Sequence, residues 1–392
     1  MLKRCFRRLL SLLLVAGILL LVACDDTRGQ AARPADYGPE AAEFAVRLSE
    51  THPRREAGSA GEAAAADMIV EEFTRLGYAP ERQNFTLSGG AASQNISIRI
   101  PGNGFTYVAT GEDGALLNEE NREFLGQDLN RRVYVTASYN TPNLDEETSA
   151  GTQFNGISDN SSGLAALLML AKQLKHYSLG YDVIIVALGG FNDNYAGARA
   201  LYESLTEQEL AETDCFYEIR NIYAGTKLYA HSGWSSLLPG QKYEMRRRAY
   251  AMTDVAIEHG LIDTIGADLY LNQAGFYVDS PLDDSRVIYR EFTLTPSNYR
   301  VFDAASIPIV YFEAYDYDGR DLDNLSETRS PDFAETGGRV AGTRFDNTAY
   351  LSSVLGEDHL EQRVNMMAYV IAEGLLKNPP DTVQRTVTTG LQ

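Results

Sequence analysis

Apolar residues recur at helical spacing in some stretches of the chain and form short unbroken runs in others. Across residues 60–76, Met68, Ile69, Phe73 and Leu76 fall three and four apart, and Gly77 follows; this predicts a helix with a glycine C-cap. Residues 163–174 repeat the pattern with Leu164, Leu167, Leu168 and Leu174. Helices are likewise predicted over 196–205, 243–259 and 360–376. Residues 82–85, 95–100, 133–137, 216–222 and 227–230 read as strands. Residues 183–188 and 307–312 are unbroken apolar runs, the mark of strands covered on both faces. The alternation of the two element types predicts one three-layer α/β domain around a mixed, mostly parallel sheet.

Both ends of the chain depart from this pattern. Lys3, Arg4, Arg7 and Arg8 precede an apolar run from Leu9 to Val22, and the run closes in Leu21-Val22-Ala23-Cys24. That order resembles a bacterial lipoprotein signal peptide, in which cleavage precedes the cysteine and its thiol is acylated. Residues 1–23 are therefore expected to be a signal peptide and Cys24 a lipidated N-terminus, held at a membrane of the cell envelope by its acyl chains. Residues 24–42 are expected to be a tether, 43–377 the folded domain, and 378–392 a polar tail after Asn378-Pro379-Pro380.

Composition removes some classes of function. With 44% hydrophobic and 22% charged residues, the chain is ordinary globular material. It holds 34 Lys+Arg against 54 Asp+Glu, a net charge of −20, and no basic cluster follows residue 8. Such a surface repels phosphate backbones, so no nucleic-acid partner is expected. An acidic mature chain also attaches through lipid, not through attraction to anionic headgroups. After loss of Cys5 and acylation of Cys24, Cys215 is alone, and it reads as a small buried hydrophobe in a strand.

Ligands of open α/β sheets sit beyond the C-terminal ends of the strands. Three segments occupy such places: Ser138-Tyr139-Asn140, the stretch 189–193, and the loop Gly156-Ile157-Ser158-Asp159-Asn160-Ser161-Ser162-Gly163. Together with Arg54, Arg55, Gly58-Ser59, Gly77-Tyr78, Phe85 and Ser306-Ile307-Pro308, they resemble a known family. It is that of the co-catalytic zinc aminopeptidases of the aminopeptidase Y and bacterial leucyl aminopeptidase type, which includes the glutaminyl cyclases. The resemblance runs from about residue 43 to 376 and implies the zinc-aminopeptidase (phosphorylase/hydrolase-like) fold.

In that family two His, two Asp and one further acid hold two zinc ions, and a Glu is the general base. Position by position, the resemblance puts Ser138 and Asn140 at the His-x-Asp, Asp159 at the bridging Asp, and Phe191-Asn192 at the Glu pair. It puts Tyr223 at the later Asp and Tyr299 at the last His. Only Asp159 keeps the chemistry. Ser, Asn and neutral Tyr are poor zinc ligands, and Phe191 cannot move a proton. The five histidines, His52, His176, His231, His259 and His359, read as surface or capping residues, His231 being the nearest to a candidate ligand. Asp193 is one place beyond the ligand position and would have to swing in. The rings of Phe191, Tyr223 and Tyr299 are expected to fill the volume of the lost metals. Asp159, without its cations, is expected to take donors from Ser138, Asn140, Asn192, Tyr223 or Tyr299.

The expectation is thus a membrane-anchored, catalytically degenerate homologue with no cofactor, acting in binding or assembly on a peptide, glycan or protein ligand. The alternative is an active zinc-dependent aminopeptidase or cyclase with rearranged ligands.

Overall fold

The computed structural model describes residues 36–109, 123–144, 154–237, 242–272, 276–279, 285–289, 291, 293–318 and 322–386. The expected signal peptide, Cys24 and most of the expected tether lie outside them. The strands are β1 Glu81–Thr86, β2 Ala92–Ile100, β3 Phe105–Ala109, β4 Glu123–Leu129, β5 Arg132–Ser138, β6 Asp182–Leu188, β7 Thr213–Ile219, β8 Lys227–His231, β9 Leu269–Tyr270, β10 Phe276–Asp279, β11 Arg286–Tyr289, β12 Ile309–Tyr315 and β13 Thr382–Gln384. The helices are α1 Gly38–Thr51, α2 Ala60–Arg75, α3 Ser162–Leu174, α4 Ala196–Glu203, α5 Glu207–Glu212, α6 Lys242–Glu258, α7 Leu261–Thr264, α8 Tyr299–Ala304, α9 Thr348–Leu355 and α10 Asp358–Leu375, with a π turn at Ile157–Ser161 before α3.

Eight strands form one sheet in the order β1-β2-β6-β5-β7-β12-β8-β9. The β6, β5, β7 and β12 core is parallel, and β1, β2 and β8 run against their neighbours toward the edges. The mixed three-layer α/β architecture is the expected one. Val133, Val135 and Ala137 of β5 face the larger core, with Leu164, Leu167 and Leu168 of α3 and Met366, Val370 and Ile371 of α10. Tyr134, Val186, Phe216 and Ile309 face the other side, under Ala198 and Leu201 of α4 and Phe302 of α8. Burial on both faces explains why these strands read as continuous apolar runs.

The ends of the domain differ from expectation. Residues 38–42 belong to α1, not to a tether. Asp36 accepts the Gly38 amide at 3.1 Å, Pro39 opens the helix, and Ala41, Phe44, Ala45 and Leu48 are buried at helical spacing. The polar tail contains β13, which pairs with β3 through Thr382 and Tyr107. Cys215 is buried in β7 as expected, and burial pushes its thiol pKa far up. Among the described residues no helix is long and apolar enough to cross a membrane.

Register sets the site. Ser138 of β5 lies opposite Leu188 of β6, and Ala137 opposite Ile219 of β7. The residues that follow these strand ends, Tyr139-Asn140, Gly189-Gly190-Phe191 and Arg220, therefore emerge side by side.

Candidate functional site

β7 ends at Ile219, three residues earlier than its apolar pattern predicts. Alternation along β7 puts Phe216, Glu218 and then Arg220 on the α4/α8 side, so an arginine follows the strand directly into the strand-end cluster. Its Nη2 donates to Asp159 Oδ1 at 3.2 Å, and its Cζ lies 3.8 Å from the centroid of the Phe191 ring. Burial would lower the Arg220 pKa, but Asp159, Tyr311 and Glu218 outweigh it and hold the guanidinium charged. A cation over a desolvated ring contributes roughly 0.5–2 kcal/mol.

The π turn places the other side of the cluster. Gly156 stands before it at φ 69°, where an added Cβ would meet Thr141 Cγ2 at 2.8 Å and Arg55 Nη2 at 3.0 Å. Asn160 Nδ2 donates to Asp159 Oδ2 at 2.9 Å and to the Asn140 carbonyl at 2.8 Å. Arg55, fully buried, donates to Asn160 Oδ1 at 2.7 Å and to Ser161 Oγ at 2.9 Å; burial lowers its pKa to about 10. Asn140 Oδ1 accepts the Phe191 amide at 3.0 Å. Arg220, Asp159, Asn160, Asn140 and Phe191 thus close a ring.

A second polar knot lies against it. Glu218 is fully buried and accepts from Ser297 Oγ at 2.5 Å, Asn298 Nδ2 at 2.9 Å and the Tyr299 amide at 2.8 Å. Asn298 Nδ2 also donates to Ser138 Oγ at 2.9 Å. Burial raises the Glu218 pKa against these donors and against Arg220. Asp346 accepts the amides of Ser158 and Gly342; burial, then the charge of Asp159, push it up to about 8. Glu327 holds the Val340 and Ala341 amides, and burial pushes it up to about 7.

The residues expected at the metal positions are brought together only in part. Ser138, Asn140, Asp159, Phe191 and the Tyr299 backbone all join this network. Asn192 borders it, donating to the Thr141 carbonyl at 2.9 Å. Tyr223 does not join: it lies in the larger core with its ring 6.0 Å from that of His359, because β7 stops four residues before it. The expected trio of rings does not form either. Phe191 meets Tyr195, Tyr299 meets Tyr311, and Tyr223 meets His359. Asp159 takes its side-chain donors from Arg220 and Asn160, not from the five residues expected. Asp193 turns away and accepts from the Ser88 amide at 2.6 Å. His231 is no surface residue: it is buried, 3.2 Å from Glu313 Oε1. Arg220, Glu218 and Asp346 escaped the sequence reading. The alternation of Phe216, Glu218 and Arg220 was the available signal for the first two.

Residues 125–260, which contain most of this cluster, match the model of Peptidase family M28. That stretch is about a third of the chain, so the match is a similarity of this segment to the M28 family. A relative from Escherichia coli K12, the alkaline phosphatase isozyme conversion protein, is 24% identical over 309 residues, covering 77% of this chain and 80% of its own. The fold is shared with the zinc aminopeptidase BSAP from Bacillus subtilis, at TM-score 0.56 and 13% identity, over 85% of this chain and 94% of that one. It is also shared with the glutaminyl cyclase of an Acidobacteriales bacterium, at TM-score 0.55 and 14% identity, over 90% and 98%.

The resemblance implies a pair of zinc ions at these residues. Among the described residues, no group of three or more His, Cys, Asp and Glu side chains is placed to hold a metal. The one retained acid, Asp159, has one oxygen on a guanidinium and the other on an amide. Serine, asparagine and an aromatic ring surround it, and the nearby Asp346 and Glu218 carboxyls are taken up by backbone amides and by Ser297 and Asn298. This donor set does not fit a zinc pair.

Proposed function

We propose that this chain is an exported lipoprotein, anchored in the bacterial cell envelope through Cys24, whose M28-like domain binds a ligand and does not hydrolyse it. One observation carries the reading: the Arg220 guanidinium stands on Asp159, so the counter-charge that two cations supply in the resembling enzymes is built from the chain itself. Two further features support it. Phe191, at the position of the general base, has no proton to move, and its ring packs on Arg220. Two consecutive non-glycine residues of the same loop, Asn194 and Tyr195, have φ of 52° and 58°. Such strain persists where the surroundings over-determine a conformation, and it clusters at functional sites.

The test is metal content after zinc loading, paired with hydrolysis of aminoacyl arylamides. The reading expects substoichiometric zinc and no turnover above background. Two bound zinc ions per chain with turnover would instead establish the active aminopeptidase or cyclase that the names of the neighbours suggest.

A further inference from the structure

The ring of Arg220, Asp159, Asn160, Asn140 and Phe191 leaves two hydrogen-bond donors unused. Arg220 Nη1 and Asn140 Nδ2 are both shielded from solvent, and neither has a partner. The amide orientation of Asn140 is fixed, because its Oδ1 accepts the Phe191 amide and its nitrogen must therefore be the free end. Arg220 is fixed as well, by Asp159 on Nη2 and by Phe191 beneath its plane. Both donors flank Phe191, one through its ring and one through its amide. A buried donor without an acceptor is destabilising, so two held rigidly on one ring mark a place built for acceptor atoms. The side chains of Arg220 and Asp159 are 11% and 9% exposed, so the ring lies just beneath the surface, and a ligand reaches the two covered donors by displacing what shields them.

We propose that this ring is a recognition site for a ligand carboxylate, with one oxygen on Arg220 Nη1 and the other on Asn140 Nδ2. The chemistry of the donors selects this class. One donor is cationic, one is neutral, and both belong to planar groups. A carboxylate offers two in-plane acceptor oxygens and one negative charge, which suits a charge-assisted bond beside a neutral one. The fully buried Arg55 stands behind Asn160 and adds a second positive charge to the same ring. Phosphate would bring more negative charge to face Asp159 and Glu218 and fits less well. The proposal rests on the metal-free reading above, because zinc at Asp159 would displace Arg220.

The experiment titrates the full-length protein in detergent with N-acetylglycine, in the presence of a chelator, and follows the melting temperature and ligand saturation-transfer NMR. N-acetylglycinamide, identical but without the charge, is the control. A glutamate derivative blocked at its amino group and α-carboxyl carries only the side-chain carboxylate, and separates a peptide C-terminus from an acidic side chain as the source. A saturable upward shift with either carboxylate, and none with the amide, is expected. Asn140→Asp keeps the acceptor for the Phe191 amide while removing the donor, and should weaken binding about tenfold or more. Arg220→Lys keeps a charge without Nη1 and should weaken it comparably. Equal responses to acid and amide, no response to either acid, or undiminished binding by a folded Asn140→Asp protein would overturn the proposal. The zinc measurement fails or succeeds separately, so a metal-free protein that ignores carboxylates refutes this site alone.

Discussion

Asp346 reaches across 187 residues of chain to accept the backbone amide of Asp159 at 3.1 Å. The same carboxyl takes the Ser158 and Gly342 amides, so it ties the π turn of the site to the loop before α9. Burial and the charge of Asp159 set its pKa at about 8, far above its ordinary value near 3.8. A raised acid pKa means that the folded chain holds a proton the unfolded chain has lost. Stability from this group is full below the ordinary value and falls as pH rises toward 8. Glu327, pushed from 4.5 to about 7, acts in the same sense over a narrower window. The melting temperature should therefore decline between pH 5 and pH 8, measured by calorimetry in buffers of matched ionic strength. Asp346→Asn should flatten the decline. It should also cost about 1–3 kcal/mol, since one of the three amides must then face an NH2 group.

Arg220→Met removes the cation and leaves Asp159 buried with one donor. Breaking a buried pair from one side costs roughly 3–5 kcal/mol. A drop of that order in denaturant-derived stability is expected, and Asp159→Ala should also destabilise the protein. A strong chelator should leave the native protein's melting curve unmoved. A chelator-induced drop that zinc reverses would return the metal enzyme to first place.

Gly156→Ala tests the approach of Arg55 to the site. The substitution puts a Cβ at φ 69° against Thr141 and Arg55. A loss of about 1–3 kcal/mol in unfolding free energy is expected. The accompanying weakening of carboxylate binding would be read from the same titration.

Cys24→Ser should abolish metabolic lipid labelling and leave an unprocessed precursor that still carries Lys3, Arg4, Arg7 and Arg8. Mass spectrometry of the membrane fraction checks both points. A water-soluble mature chain beginning elsewhere would remove the anchor from the account.

The strands at the centre were legible because burial on both faces makes them unbroken apolar runs, and β5 and β6 fell within a residue of their predicted limits. The loop with Asp159 and Asn160 was legible through its glycines and short polar residues. Arg220 was not, because Ile222 and Tyr223 extend the apolar pattern past the strand's true end, and a charged residue beside them reads as an edge. Its environment is assembled from Phe191 and Asp159, both distant in sequence. Helix α1 carried a helical pattern in Ala41, Phe44, Ala45 and Leu48. Its alanines and the neighbouring polar stretch 25–40 hid that pattern. β13 has three residues and no apolar alternation, and it exists only through its pairing with β3.

A cation held by a covalent bond obeys different mass action from one held by coordination. A metallopeptidase whose bridging acid depends on zinc gains stability with the logarithm of the free metal concentration, and loses it when metal is scarce. With Arg220 on Asp159, the balancing charge is present at one equivalent per site in every folded molecule. Folding of such a domain is then independent of the metal supply, and growth in zinc-depleted medium should leave its abundance unchanged.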